Sequence, residues 1–282
     1  MKIDMHVHIT PPDIIANWEK YAEKEPYFSL LSNAKHNMFA TAEDVIETLK
    51  KEDFDKAVVF GFAFCDNGLC KYVNDYVIEK VKQFPDKLIG FAVAAPGKGK
   101  KGEEAAKEIE RCYNMGLKGV GELFPAGQGI DLANIEETAS LTNICKDLNI
   151  PLMLHTNEPV GHEYAGKTDV PMKHIEKFVL NNPELKIILA HWGGGIFLYE
   201  SMKEIKNSFK NVYYDTAITP YIYDEKIYDT IKVMGLCEKI LFGSDFPILP
   251  PSRYMDGIEK SMLTKEEKQL ILGDNAKRLL GI

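Results

Sequence analysis

Eight short apolar runs recur along the chain, and they constrain its fold more than any other feature. Each run is rich in β-branched or aromatic residues, as is typical of a parallel strand buried on both faces. After a longer first gap the runs begin roughly 30 residues apart, which is the size of a βα unit. The predicted strands are Ile3–His8, Ala57–Phe62, Leu88–Ala94, Gly119–Phe124, Pro151–His155, Lys186–His191, Val212–Thr216 and Ile240–Asp245.

The segments between these runs have the periodicity of amphipathic helices. Residues 41–52 place their apolar side chains on one face, and Thr41 is suited to cap the first turn. Residues 102–114, 135–148 and 172–181 follow the same pattern. The sequence therefore predicts strands that alternate with helices through most of the chain.

Eight such units predict a single TIM (β/α)8 barrel over residues 1–282, in the α/β class. The barrel is distorted by an excursion after the first strand and by closing helices at the end. Residues 264–280 predict two helices broken near Gly273, with Asp274 capping the second. An open doubly wound sheet is the competing fold, but only Gly119-Val120-Gly121 resembles its glycine-rich phosphate loop.

The excursion at residues 10–40 is rich in aromatic side chains. It follows the first strand, and therefore leaves the barrel at the end where TIM-barrel active sites lie. We consider two alternatives, a lid over the active site and a peripheral helix packed on the barrel wall. The aromatic residues are Trp18, Tyr21, Tyr27, Phe28 and Phe39.

Composition narrows the class of protein. The net charge of −8, with both signs mixed along the chain, argues against nucleic acid as a partner. No apolar run approaches the ~18 residues of a membrane helix, and no apolar signal segment opens the chain. Five cysteines without a C-x-x-C motif predict a reduced, cytoplasmic protein. The oligomeric state stays open, with a homodimer as one alternative.

Residues able to bind a metal cluster at the ends of the predicted strands. Strand side chains alternate between faces, so two histidines separated by one residue in the first strand project to the same side. Nitrogen ligands combined with one or two carboxylates suit Zn²⁺, with Mn²⁺, Fe²⁺ or Co²⁺ as alternatives. The candidate residues are His6, His8, Glu122, His155, His191 and Asp245.

The candidate residues lie in four motifs or beside them: Ile3-Asp4-Met5-His6-Val7-His8, Leu154-His155-Thr156, Leu189-Ala190-His191-Trp192-Gly193-Gly194-Gly195 and Leu241-Phe242-Gly243-Ser244-Asp245-Phe246-Pro247. A fifth run, Gly273-Asp274-Asn275-Ala276-Lys277-Arg278-Leu279-Leu280, lies near the C-terminus. In this order, and over nearly the whole chain, these runs resemble the amidohydrolase superfamily. The resemblance is closer to its amidohydrolase-2 branch, which includes enzymes of the aminocarboxymuconate-semialdehyde decarboxylase type.

The resemblance implies a ligand set around the metal, with His191 nearby as an acid, a base or a ligand of a second metal. The implied ligands are His6, His8, His155 and Asp245. Many relatives bridge two metals with a carboxylated lysine in the fourth strand. This chain has Glu122 at that position, and Lys118 lies too early to point into the site. Glu122 allows a second metal, whereas the decarboxylase-like branch implies one, so the metal count stays open.

The first functional hypothesis is a metal-dependent hydrolase acting on an amide, ester or lactone of a small organic molecule. A metal lowers the pKa of bound water to roughly 7, so that Asp245 can orient this water and His191 can stabilise the developing oxyanion. The alternative is a non-oxidative decarboxylase of an aromatic or unsaturated acid, in which Asp245 would protonate carbon. Two further alternatives are a TatD-like nuclease, which Glu122 favours, and a non-catalytic protein that binds a metal or a small molecule.

Four residues are candidates for contact with a substrate that carries a carboxylate. Arg253, in the loop after the eighth strand, is one of three arginines and could clamp a carboxylate, although a surface salt bridge is the competing interpretation. Trp192 could wall the pocket or simply pack. His162 and Tyr164 follow the fifth strand on the side of the predicted site. We predict no catalytic role for His36 or His174.

Overall fold

The computed structural model describes residues 1–34, 38–168 and 170–282. Eight parallel strands follow one another around a single sheet in sequence order. The predicted TIM barrel is therefore confirmed, although several strands are shorter than the apolar runs that predicted them. The strands are β1 Ile3–His8, β2 Lys56–Phe60, β3 Leu88–Ala92, β4 Gly119–Leu123, β5 Leu152–Leu154, β6 Ile187–Leu189, β7 Val212–Asp215 and β8 Ile240–Leu241.

The barrel closes beyond the short strand β8. The Met5 amide donates to the Phe242 carbonyl oxygen at 2.8 Å, and the Asp245 amide donates to the His6 carbonyl oxygen at 2.9 Å. Val7 and Phe246 form a further parallel bridge. The chain after β8 thus runs beside β1, which brings Asp245 next to the two histidines of β1.

Helices surround the barrel at the positions that their amphipathic patterns predict. Thr41 begins its helix with a capping box, because its side chain accepts from the Asp44 amide while the Asp44 carboxylate accepts from the Thr41 amide. Among the described residues, no helix combines the length and the apolar character needed to span a bilayer. The principal outer helices are Ala42–Lys51, Asn67–Gln83, Lys100–Asn114, Ile135–Asp147, Met172–Asn181, Ile227–Met234 and Ser252–Lys260.

The C-terminal tail corrects one prediction. The chain is not broken near Gly273: the helix Lys265–Gln269 passes through a π-helical turn, Leu270–Asp274, into the helix Asn275–Leu280. Asp274 keeps a right-handed helical conformation, and its side chain makes no capping hydrogen bond. A Cβ at Gly273 would lie 2.0 Å from the Met1 carbonyl oxygen. Glycine is required here for close approach to the N-terminus rather than for a helix end.

The excursion after β1 forms short helices, Pro12–Ala16, Trp18–Ala22 and Pro26–Ser32. The third of these packs at the C-terminal end of the barrel, where the Phe28 ring lies 5.0 Å from Phe62 and the Tyr27 ring 5.2 Å from Phe124. Its aromatic side chains therefore lie at the end predicted to hold the site. His36 lies outside the described residues.

Candidate active site

Six predicted side chains converge at the C-terminal end of the barrel. The alternation of β1 sends His6 and His8 to the same side, and their Nε2 atoms lie 3.3 Å apart. Glu122 comes from β4, and the other three residues follow strands: His155 directly after β5, His191 two residues after β6, and Asp245 four residues after β8. Three overlapping groups of these residues bring their ligand atoms within 4.8 Å of one another: His6, His8 and Glu122; His6, His191 and Asp245; and Glu122, His155 and His191.

Glu122 stands between two sets of imidazole nitrogens. Its Oε2 atom lies 3.5 Å from Nε2 of both His6 and His8. Its Oε1 atom lies 3.0 Å from Nδ1 of His155 and 3.2 Å from Nε2 of His191. The carboxylate is 1% exposed, so its charge is balanced by these neighbours rather than by water. One oxygen thus faces each pair of histidines.

Asp245 supplies the atom that most directly indicates a cation. Its Oδ1 is buried and makes no hydrogen bond with the described residues, while Nε2 of His8 and of His6 lie 3.3 and 3.5 Å away. An unpartnered carboxylate oxygen beside two imidazole nitrogens is costly in an apolar interior. A divalent ion bound by these atoms would satisfy all three. The residues present therefore fit a metal site.

The buried carboxylates favour the protonated form of three imidazoles in the metal-free protein. Burial alone would lower the pKa of His191, but the hydrogen bond and charge of Glu122 raise it to about 9. The pKa values of His6 and His8 are also raised against burial, by Glu122 and the nearby aspartates. Burial would raise the pKa of Glu122, yet the histidines hold it well below its usual range. A metal must displace these protons in order to bind.

Asp215, at the end of β7, is part of the site, and the sequence analysis missed it. Its Oδ2 lies 2.8 Å from Nδ1 of His6, and its Oδ1 accepts from the amides of His191 at 2.8 Å and Ala217 at 3.1 Å. The carboxylate is fully buried. It fixes the His6 tautomer with the proton on Nδ1, which leaves the Nε2 lone pair free for a metal. The sequence did hold one signal for it, because Asp215 ends an apolar strand as the other site residues do.

Asp4, on β1, ties this strand to the loop that carries Asp245. Its carboxylate accepts from the Ser244 amide at 2.9 Å and from the Ser244 hydroxyl at 2.5 Å. Burial raises the pKa of Asp4 to about 7, against the hydrogen bonds from Ser244. Tyr254 donates its hydroxyl proton to the Ser244 carbonyl oxygen at 2.5 Å. Both contacts thus fix Ser244, the residue immediately before Asp245.

Left-handed backbone conformations place two of the six residues. His191 and Asp245 have φ angles of 55° and 59°, which residues with side chains seldom adopt. The glycine run after His191 also has positive φ angles and forms a tight turn. A Cβ at Gly194 would lie 2.3 Å from the Asn157 carbonyl oxygen, so the turn packs directly on the chain that follows His155.

The four predicted substrate contacts occupy different environments. Trp192 is fully buried, and its Nε1 donates to the Thr219 hydroxyl at 2.7 Å, so its ring belongs to the core behind the site. His162 and Arg253 are exposed. Tyr164 is half-buried and donates to Oε2 of Glu158 at 3.1 Å. Tyr164 is thus the one of the four that is half-buried, and its hydroxyl contacts an acidic side chain.

An aromatic wall borders the histidines on one side. Phe124 lies 4.9 Å from the His155 ring and 6.5 Å from the His8 ring, and it stacks on Phe62 at 5.2 Å. Tyr27 joins them and donates its hydroxyl proton to the Gly166 carbonyl oxygen at 3.2 Å. The arrangement offers flat apolar surface beside a polar, metal-binding floor.

Comparison with solved structures shows the same fold in several enzymes. A 5-carboxyvanillate decarboxylase from Sphingomonas paucimobilis is 15% identical with a TM-score of 0.78, over 100% of this chain and 99% of that one. The 5-carboxyvanillate decarboxylase from Novosphingobium aromaticivorans was solved in complex with manganese and 4-hydroxy-3-methoxy-5-nitrobenzoic acid. It is 15% identical with a TM-score of 0.79, over 100% of this chain and 96% of that one. An amidohydrolase II structure is 20% identical with a TM-score of 0.74, over all of both chains.

A dihydroxybenzoic acid decarboxylase from Polaromonas sp. JS666, with bound manganese and the inhibitor 2-nitroresorcinol, is 17% identical with a TM-score of 0.73 over 99% of this chain and 96% of that one. At such identities these structures show a shared fold. The assignment to a family comes from the sequence itself, because the family model described as Amidohydrolase matches residues 3–282. The match covers both histidines of β1 and the aspartate after β8, and the chain belongs to the amidohydrolase family.

Proposed function

We propose that the protein is a divalent-metal-dependent decarboxylase that removes CO₂ from an aromatic or unsaturated carboxylic acid without oxidation. The observation that carries this proposal is the unpartnered, buried Oδ1 of Asp245 beside the imidazoles of His6 and His8. In the aromatic wall, Tyr27 and Phe62 are partly exposed and lie against the buried Phe124, which gives a planar substrate an aromatic surface to pack on. The manganese-bound decarboxylases with the same fold support this choice over hydrolysis.

His6, His8 and Asp245 would hold the metal, with His155, His191 and Glu122 completing the site. Bound there, a divalent ion supplies Lewis acidity to substrate oxygens, as in other metalloenzymes. The nitrogen and oxygen donors suit manganese and zinc alike, so the donor set does not select one of them. Elemental analysis of purified protein gives the identity and number of ions per chain.

The chain's own part in the reaction is to move one proton. Burial would raise the pKa of Asp245, but the charges of His6, His8 and His191 lower it, so Asp245 would first take up a proton from water and then give it to the substrate carbon that bears the carboxylate. The bond between that carbon and the carboxylate then breaks, its electron pair returns to the unsaturated system, and CO₂ leaves. The hydroxide left by the water combines with CO₂ as bicarbonate. His191 is the second candidate for this transfer, because its ligand atom lies within 4.8 Å of that of Asp245.

Hydrolysis of an amide, ester or lactone is the second candidate, and Glu122 favours it. Its two oxygens face two separate pairs of imidazoles, which is the arrangement of a carboxylate that bridges two ions. Two ions would suit activation of water between them. Two metals per chain, together with ¹⁸O from solvent in the product, would support hydrolysis over decarboxylation.

The test is release of CO₂ from a panel of hydroxybenzoates and unsaturated acids by protein loaded with manganese or zinc. We expect metal-dependent CO₂ release, reduced at least about 100-fold in Asp245→Asn because general acid catalysis is typically worth that much. Asp131→Asn, a matched change at an exposed position, is the control. Equal CO₂ release by Asp245→Asn and the wild type would refute the role of Asp245. Cytoplasmic location and a homodimer remain predictions from sequence.

A further inference from the structure

A second polar group lies beside the metal-binding residues, in the segment after β5. Glu158 follows His155 by three residues and accepts the hydroxyl proton of Tyr164 on Oε2 at 3.1 Å. Its other oxygen, Oε1, is buried and makes no hydrogen bond with the described residues. A carboxylate oxygen shielded from water and without a donor is destabilising unless a ligand completes it.

We call the polar side chains around this oxygen its pocket. Burial raises the pKa of Tyr223, and both the charge of Glu158 and a hydrogen-bonding contact with it raise that pKa further, so the Tyr223 hydroxyl lies beside the Glu158 carboxylate. Asn157 is 5% exposed, its Oδ1 accepts from the Thr168 hydroxyl at 2.9 Å, and its Nδ2 is buried without a partner. Two adjacent residues therefore each hold a buried polar atom that nothing in the described chain satisfies.

Tyr164 connects this pocket to the metal-binding residues. Burial raises the pKa of its phenol, and the charges of both Glu158 and Asp245 add to the effect, so the phenol lies within electrostatic reach of both carboxylates. The segment around it is fixed, because the Lys167 ammonium donates to the carbonyl oxygens of Val160, Gly161 and His162 at 2.9 to 3.2 Å. Nε2 of His155 lies 2.9 Å from the Gly166 carbonyl oxygen, so the segment that carries Glu158 and Tyr164 folds back against the metal-binding residues.

Charge decides which chemical group this pocket can take. The ammonium of Lys167 donates to three carbonyl oxygens and lies 3.6 Å from the Glu163 carboxylate, and among the described residues no ion pair involves Glu158. Its unpartnered oxygen can accept a proton from a hydroxyl or an ammonium group, but it repels a second carboxylate. A substrate acid would therefore turn its carboxylate toward the metal and its donor group toward Glu158.

We propose that Glu158, flanked by Tyr164 and Tyr223, is a specificity-determining subsite that binds a hydroxyl or ammonium group on the part of the substrate remote from the reacting carboxylate. The proposal rests on the proposed function for its orientation of the substrate. It adds a requirement that the metal site does not impose, because an acid without a donor group would leave Glu158 and its pocket unsatisfied.

The test measures binding of four probe acids to manganese-loaded protein by calorimetry, with turnover recorded separately. The probes are benzoate, 4-hydroxybenzoate, 4-(aminomethyl)benzoate and terephthalate, which differ in having no group, a neutral donor, a cation or a second anion. We expect the two donor probes to bind about tenfold or more tighter than benzoate, as a hydrogen bond to a charged partner gives, and terephthalate to bind most weakly.

Two variants separate hydrogen bonding from charge. Glu158→Gln keeps an acceptor of the same shape, so it should retain most of the preference for 4-hydroxybenzoate and lose that for 4-(aminomethyl)benzoate. Glu158→Ala should lose both preferences. Glu163→Gln is the matched control, because Glu163 lies in the same segment with a side chain that is 87% exposed, and it should keep the wild-type order.

The outcomes distinguish this inference from the proposed function. No preference among the probes in the wild type, or the same preference in Glu158→Ala, would overturn the subsite even if CO₂ is released from other acids. A preference that disappears in Glu158→Ala would support the subsite even if no CO₂ is released, in which case the decarboxylase proposal alone fails.

Discussion

Replacement of Asp215 by asparagine should remove a metal ligand without touching the metal site directly. In the wild type one carboxylate oxygen accepts the Nδ1 proton of His6 at 2.8 Å. The other accepts two backbone amide protons, from His191 at 2.8 Å and Ala217 at 3.1 Å. An asparagine has one accepting oxygen and one donating nitrogen, so only one side of this arrangement can be preserved.

The energies of the two orientations decide the outcome. If the amide nitrogen faces the two backbone amides, both buried donors lose their acceptor, at about 1–3 kcal/mol each. If it faces His6, the imidazole must accept on Nδ1 and carry its proton on Nε2, where it can no longer bind a metal. Loss of such an orienting partner typically costs about 10–100-fold in metal affinity, or about 1.4–2.7 kcal/mol. The second orientation is less costly, so we expect Asp215→Asn to weaken metal binding rather than to destabilise the fold.

The assay is a competitive chelator titration with Mn²⁺ or Zn²⁺, together with urea unfolding of the metal-free protein. We expect Asp215→Asn to bind metal about 10–100-fold more weakly, with a much smaller change in the free energy of unfolding without metal. Asp131→Asn is a matched control, because Asp131 also pairs with a histidine Nδ1, that of His174, at 2.9 Å, but both side chains are over 40% exposed.

Three results would refute this reasoning. Asp215→Asn could bind metal as tightly as the wild type, or no more weakly than Asp131→Asn, and the tautomer of His6 would then not depend on Asp215. A large destabilisation of the metal-free protein with unchanged metal affinity would instead show that the asparagine adopts the other orientation and exposes the backbone donors.

Three further predictions concern the metal site. His8→Ala should lower metal content substantially, and retention of the wild-type level in elemental analysis would refute His8 as a ligand. Glu122→Gln turns a donating nitrogen toward one pair of imidazoles, so metal affinity should fall at least about tenfold. A site that held two ions would keep one. Unchanged metal stoichiometry and affinity would exclude Glu122 as a metal ligand. The pH dependence follows from the pKa of His191, which is raised to about 9. The protonated imidazole stabilises the metal-free fold fully below the ordinary pKa of 6.5, and this stabilisation is lost as pH rises through 9. The metal-free protein should therefore unfold more easily at pH 9.5 than at pH 7, while metal affinity rises over that range; calorimetry in buffers of different ionisation enthalpy should detect proton release.

The barrel could be predicted because a parallel strand that is buried on both faces is recognisable from its own residues. Their runs of apolar residues identify all eight strands, and the spacing identifies the helices between them. Most predicted strands ran past the end of the observed ones. After β6 the backbone turns left-handed at His191, and after β8 the chain pairs only irregularly with β1 before Asp245. Apolar composition continues past these points, whereas regular pairing stops.

Features that depend on distant parts of the chain could not be predicted. Gly273 looked like a helix end, but its lack of a side chain is required by the Met1 carbonyl oxygen, which no local pattern reveals. Trp192 looked like a candidate pocket wall because it follows His191. Its backbone conformation turns the ring into the core instead, against Thr219. Glu158 resembled any acidic loop residue, and only its buried, unpartnered oxygen sets it apart.

The two buried aspartates beside the histidines show what a carboxylate in or at the end of an apolar strand indicates. Asp4 and Asp215 are at most 1% exposed, and each forms hydrogen bonds to residues that carry or adjoin the proposed ligands. A buried carboxylate is tolerated only when donors surround it, so an aspartate at the end of an apolar strand predicts converging donors even where it binds no metal. Applied uniformly, the rule would have selected Asp215 from the sequence as an orienting residue. Asp4 precedes the end of its strand, and its role follows only from the closure of β1 against the chain after β8.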